Sequence, residues 1–220
     1  LAVNEVSGEG TITNEGGQTA KLVVGNSNSG FELGTDLLAG SNGNGIHLIK
    51  NGNDELTLSD GVDYSGVEKL TIRNGSVKQA VADTLGPSAA VVVENNKTLD
   101  LNDHNLTVAS VAGEGDITLG SGTLTVGDSG DHHLSGVISG TGAVVKQGAG
   151  QLILSGNQTY SGATTVNGGE LRIGNGDGVQ LPDTTNVSIA SGAVFAFDSS
   201  SNRTMSAGFL SGAGALLKDG

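Results

Sequence analysis

Leu56, Leu58, Ser59, Tyr64, Ser65 and Gly66 reappear in the same order, without a gap, as Leu152, Leu154, Ser155, Tyr160, Ser161 and Gly162. The offset of 96 holds again further on, where Leu85, Val91, Val93, Leu99 and Leu101 fall on Leu181, Val187, Ile189, Phe195 and Phe197. Lys50-x-Gly52, Lys146-x-Gly148 and Lys218-x-Gly220 mark one position three times, at spacings of 96 and then 72. Both spacings are multiples of 24, so the repeat predicts a coil of about 24 residues and about nine coils in the 220-residue chain.

A shorter signature lies within this frame: an apolar residue, Ser or Ala, then Gly-x-Gly-x and a second apolar residue. It occurs as Val6–Thr13, Val111–Thr118, Ile138–Val145 and Leu210–Leu217, with apolar anchors six apart in every copy. The copies divide the chain into long units at 6–110 and 111–209, and a third begins at 210–220. Their unequal lengths point to loop insertions such as the stretch around Asn26–Asn44.

The coils are read as strands. Apolar residues alternate in QLILSG, ELRIG, NVSIA, AVFAF, TLDLN and NLTVA, and period two puts each pair on one face of a strand. Gly, Asn, Asp and Ser separate these runs and supply turns with positive φ or Asx geometry. No 12-residue window has helical periodicity. The expected fold is all-β: a right-handed, single-stranded parallel β-helix. Its core residues are Leu56, Leu58, Leu99, Leu101, Val144, Leu152, Leu154, Val166, Leu171, Ile173, Val187, Ile189, Phe195 and Phe197. The rival is an up-and-down barrel or a sandwich, which has no need of a strict self-alignment.

Composition agrees with many small cores. Glycine numbers 38 and proline 2, which fits neither collagen nor a Pro-rich linker. Aromatics are 3% of the chain, too few to fill one large spherical core. The net charge of −13 argues against nucleic acid or an anionic membrane face as partner. Without cysteine there can be no disulfide and no thiolate site. No apolar run is long enough for a spanning helix, and LAVNEV is not a signal peptide. The chain stops in mid-pattern at LLKDG, which reads as a piece of something longer.

Residues Ile138–Gly174 resemble the passenger-associated repeat of bacterial autotransporters, whose pattern runs SGxGxLxKxGxGxLxLxGxNxYxGxTxVxxGxLxI. The matches are Ser139, Gly140, Gly142, Val144, Lys146, Gly148, Gly150, Leu152, Leu154, Gly156, Tyr160, Gly162, Val166, Gly169, Leu171 and Ile173. Asn157 sits one place early, and Ala163 stands where Gly is frequent. The match is degenerate at 48–66, where Asn53 and Asp54 replace glycine positions, and recognisable again at 210–220. The resemblance implies a type V secretion passenger. Such a passenger is exported across the periplasm, displayed on a Gram-negative surface, and anchored by a C-terminal outer-membrane barrel that this sequence does not include.

Each candidate site in the sequence also has the composition of a repeat turn. GDSG at 127–130 has the letters of a serine-protease nucleophile, but His132 and His133 are too close in sequence to serve as its base. GDSG follows LTVG much as NSNSG at 26–30 follows LVVG, so it reads as a turn. Asp128, Asp131, His132 and His133 could approach a metal, but adjacent histidines on a strand point to opposite faces. GNGDG at 174–178 is a single copy of a calcium-repeat fragment. Asp54, Glu55, Asp60 and Asp63 are the nearest carboxylate cluster, at turn positions. Six Asn-x-Ser/Thr sequons read as incidental, and Tyr64 and Tyr160 as packing residues at one repeat position.

No catalytic, cofactor or metal residue is therefore assigned, and no enzyme activity is expected. The leading expectation is a surface-displayed scaffold for adhesion, self-association or biofilm formation. Its partner is another rod or a receptor on a host or abiotic surface. The alternative is a β-helical stem that supports export and displays a domain upstream. A polysaccharide-cleaving β-helix enzyme is the remote third reading, because it needs convergent carboxylates in a groove.

Overall fold

A computed structural model describes residues 10–25, 30–176, 181–182, 185–199 and 209–219. These residues contain strands and turns, with no helix. Every strand pair is parallel, which removes the barrel and sandwich readings. The chain visits three faces in turn and repeats the circuit about nine times, as a parallel β-helix.

Face one is a ten-stranded sheet running the length of the rod, from Ala20–Val24 through Ile46–Lys50, Val67–Ile72 and Gln151–Leu154 to Ala215–Asp219. Face two holds six strands, from Phe31–Leu33 through Glu55–Leu58 and Thr98–Asp100 to Ile138–Ser139. Face three begins with the pair Thr11–Asn14 and Asp36–Ala39. After a gap in regular pairing it continues as six strands from Leu106–Val108 to Leu210–Gly212. Across the gap the rungs are held by the single bridge Tyr64–Leu85 and by turn hydrogen bonds such as Leu37 N–H to the Asp63 carbonyl at 2.7 Å.

Alternation along each strand points every second residue inward, so core side chains stack rung on rung. One ladder runs Leu22–Leu48–Leu70–Val91–Val111, and another runs Leu152–Leu171–Phe195. Phe195 and Phe197 meet edge to face with centroids 4.6 Å apart. All fourteen residues assigned to the core from the sequence are buried.

Two expectations are corrected. The coil is not 24 residues long: partners on successive rungs of face one lie 19 apart at Gln151–Glu170, 26 apart at Ala20–Ile46, and about 21 apart along the rod. The offset of 96 is therefore not four coils. It carries Leu56 on face two to Leu152 on face one, Val91 on face one to Val187 on face three, and Leu99 on face two to Phe195 on face one. It spans four turns and two further faces, so it always lands one face back. Tyr64 and Tyr160 thus sit on different faces, each one face beyond the strand that precedes it. The second correction concerns 26–44. Its described part is not one loop: it holds two ordinary rungs, Phe31–Leu33 and Asp36–Ala39, and the start of a turn. Part of that coil's extra length lies in the turn at Ser41–Gly45, after them.

Candidate functional surface

The corner signature explains why sequence and coil have different periods. At Val111–Thr118 it joins face one to face two, at Ile138–Val145 face two to face three, and at Leu210–Leu217 face three to face one. The first copy lies partly outside the described residues. In the other three the first glycine takes positive φ: +114° at Gly113, +118° at Gly140 and +104° at Gly212. The second glycine lies against the coil below. A Cβ on Gly142 would stand 1.8 Å from the Gly122 carbonyl oxygen. Close approach lets two successive amides share one acceptor: Thr141 and Gly142 both donate to the Gly120 carbonyl, at 2.7 and 2.9 Å. Glu114 and Gly115 do the same to Val93.

Buried polar side chains satisfy the corner carbonyls that strands leave over. Lys50 Nζ donates to the carbonyls of Asn51, Gly52 and Asn74 at 3.3, 2.8 and 3.3 Å. Lys146 repeats this with Gln147, Gly148 and Gly168 at 2.7, 3.2 and 3.2 Å. Burial lowers the pKa of both; for Lys50 the charge of Asp54 works against it, and for Lys146 those of Asp128 and Asp131. Gln79 donates to Leu101, His104 and Asn105. Gln158 accepts from Ile138 N–H at 2.7 Å and donates to Gly136 and Gly156. At Lys50 and Lys146 the lysine that recurs in the sequence is thus a corner cap rather than a surface charge, whereas Lys218, on the last strand, is exposed.

The sequence-derived candidates disperse. His132 Nε2 lies 2.9 Å from Asp128 Oδ1, while His133 turns the other way to Ser155 Oγ at 2.6 Å. Asp131 accepts from Gln151 N–H at 2.9 Å. Burial acts to raise the Asp128 pKa, but the Gly130 amide and His132 together hold it below the ordinary value. Asp128 thus closes the GDSG turn onto Gly130. Among the described residues no three or more His, Asp or Glu gather as a metal cluster. GNGDG runs beyond the described residues. Asp54 stays near Lys50, Glu55 is on face two, and Asp63 accepts from Ser65 N–H. Asp60 joins Glu32 and Asp36 along a shallow cleft of about 370 Å³, and Asp63 shares a separate cleft with Asp83. Tyr64 and Tyr160 are fully buried. The Tyr64 hydroxyl donates to the Leu33 carbonyl and accepts from Ser59 N–H, and that of Tyr160 bonds Thr164 Oγ1 at 2.6 Å.

What the rod offers outside is three chemically different faces. Face three presents the outward column Thr107–Thr125–Val145–Thr165–Ser188–Ser211, five hydroxyls in six rungs. Face two presents Glu32–Thr57–Lys78–Asp100–Thr118–Ser139, three charges and three hydroxyls. Face one is the least polar: Val23–Ile49–Thr71–Val92–Ala112 form one outward column, flanked by Lys21–His47–Lys69–Ala90–Ser110. These columns were invisible in the sequence, because coils of unequal length put their members at irregular spacings.

The chain is thus a parallel β-helix turned by Gly-x-Gly corners and capped by buried lysines. Residues 144–173 match the passenger-associated-transport-repeat, and the chain carries the β-helix repeats of an autotransporter passenger. It is similar to the adhesin BmaC autotransporter of Brucella suis biovar 1 (strain 1330), with 30% identity over 150 residues. That stretch is 62% of this chain and 4% of the relative's length. No solved structure matches.

Proposed function

We propose that the chain forms part of a non-enzymatic adhesin rod, displayed on a Gram-negative surface, that associates with like rods and so promotes aggregation and biofilm formation. The observation that carries this reading is the hydroxyl column of face three. Thr107, Thr125, Thr165, Ser188 and Ser211 stand on a nearly unbroken flat edge of rungs. Each hydroxyl both donates and accepts, so two such columns can pair through many weak hydrogen bonds whose sum grows with overlap. The relative's description as an adhesin agrees with a role in contact. A receptor on a host or abiotic surface would use the same exposed columns. Nucleic acid is not a proposed partner, given the charge of −13.

The test is display on bacteria. Cells carrying the rod should clump, and Lys at Thr125, Thr165 and Ser188 together should abolish clumping with circular dichroism unchanged. Clumping that persists after like changes on each face would discard self-association in favour of the stem, a β-helix that drives export and holds a domain outward.

A further inference from the structure

Most of the rod's formal charge is acidic, yet one end of face one carries a row of basic groups. Lys21, His47 and Lys69 occupy one outward column on three consecutive rungs. Arg73 follows at the end of the third. Neighbouring rungs are about 4.8 Å apart, so Lys21 and Lys69 leave the sheet roughly 10 Å apart on a straight line. The imidazole of His47 registers their combined field: its pKa is lowered by burial first, then by the charges of Lys69, Lys21 and Arg73. Among the described residues, Glu94 and Glu68 border the row. Glu94 pairs with Arg73 at 3.6 Å. Glu68 is turned to the Thr19 hydroxyl and the Gly45 amide, both at 2.9 Å. Beside the row, Val23, Ile49 and Thr71 form an uncharged floor so closely stacked that Ile49 and Thr71 are buried.

We propose that this strip binds an acidic polysaccharide, a linear chain bearing carboxylate or sulfate groups at regular intervals. A straight row of cations on a flat floor fits an extended polyanion better than a small molecule, which needs a pocket. One acidic group per disaccharide presents charges at an interval comparable with two rungs. A second rod is the other source of negative charge, and its acidic column on face two is a poor match. There Lys78 stands directly between Thr57 and Asp100, so a facing row of cations would meet a cation. The strip is on a different face from the hydroxyl column, so this proposal does not rest on self-association.

The experiment uses the whole 220-residue chain and immobilised dextran sulfate, with uncharged dextran as control. The chain should be retained on dextran sulfate only, and released as salt rises. The double variant Lys21→Glu/Lys69→Glu should bind at least tenfold more weakly with unchanged circular dichroism. Lys78→Glu/Lys97→Glu, which alters net charge equally away from the strip, should bind as the parent does. No retention of the parent at low salt overturns the proposal, as does equal loss in both double variants. Equal affinity for duplex DNA overturns the polysaccharide assignment. If Lys21→Glu/Lys69→Glu abolishes clumping while the parent ignores dextran sulfate, the strip is a rod–rod contact; self-association then stands and this inference falls.

Discussion

Tyr64 and Tyr160 show what burial does to a single ionisable group in so narrow a core. Each hydroxyl is satisfied within the rod, and neither ring reaches solvent. Burial raises both phenol pKa values, that of Tyr64 to about 12 from 10.0, with Asp36 and Glu32 adding to the rise. The folded state therefore keeps its protons where the unfolded chain loses them. Between pH 10 and about 12 the unfolded state binds fewer protons, so stability falls as pH rises through that window. A rise from 10.0 to about 12 corresponds to about 2–3 kcal/mol. Urea unfolding at successive pH values should show the fall, and Tyr64→Phe should reduce its slope above pH 10. An identical slope in the variant would mean that other groups govern alkaline unfolding. The burial of both tyrosines follows from their place beside apolar strands. Thr164 and Ser59 are local partners, whereas the Leu33 carbonyl had no signal in the sequence because it lies one coil away from Tyr64.

The element that repeats is the corner rather than the coil. A strand, Gly-x-Gly and the next strand serve at all three corners, because each corner asks for the same things: one residue at positive φ and one without a side chain, set against the coil below. Gly142→Ala should therefore cost more than about 2 kcal/mol, since its Cβ would strike backbone and not a movable side chain. Gly17→Ala, with nothing within 4 Å, should stay within roughly 0.5 kcal/mol of the parent. Thermal or urea unfolding of the two variants decides this, and equal costs would remove the close-packing account of the second glycine. The consensus match at 144–173 is legible for the same reason. Strand, turn and cap are local, and each leaves its residue type at a fixed spacing.

At the scale of the molecule, stability in a stack is a sum of coil terms and nearest-neighbour interfaces, so it can differ along the rod. The rungs at Gln151–Leu154 and Glu170–Gly176 are joined by a 19-residue coil with Lys146 and Gln158 capping its corners. Those at Ala20–Val24 and Ile46–Lys50 are joined by 26 residues, and face three loses regular pairing just beyond them. In hydrogen exchange, amides of 152–173 should outlast those of 22–58. Equal protection, or the reverse, would show that coil length and capping do not set local stability.

The sequence by itself determined the strand alternation, the corner glycines, the fourteen core positions and the resemblance to passenger repeats, because all of these depend on neighbours a few residues apart. Only the tertiary structure decided the coil length and therefore which face each copy occupies. A repeat confined to corners is indifferent to which corner it turns, so 96 residues looked like four coils and are four turns and two faces. The outer columns were decided there too. Thr107 meets Thr125 after 18 residues, and Lys21 meets His47 after 26. Rungs align by backbone hydrogen bonds, which accept any number of residues in the turn between.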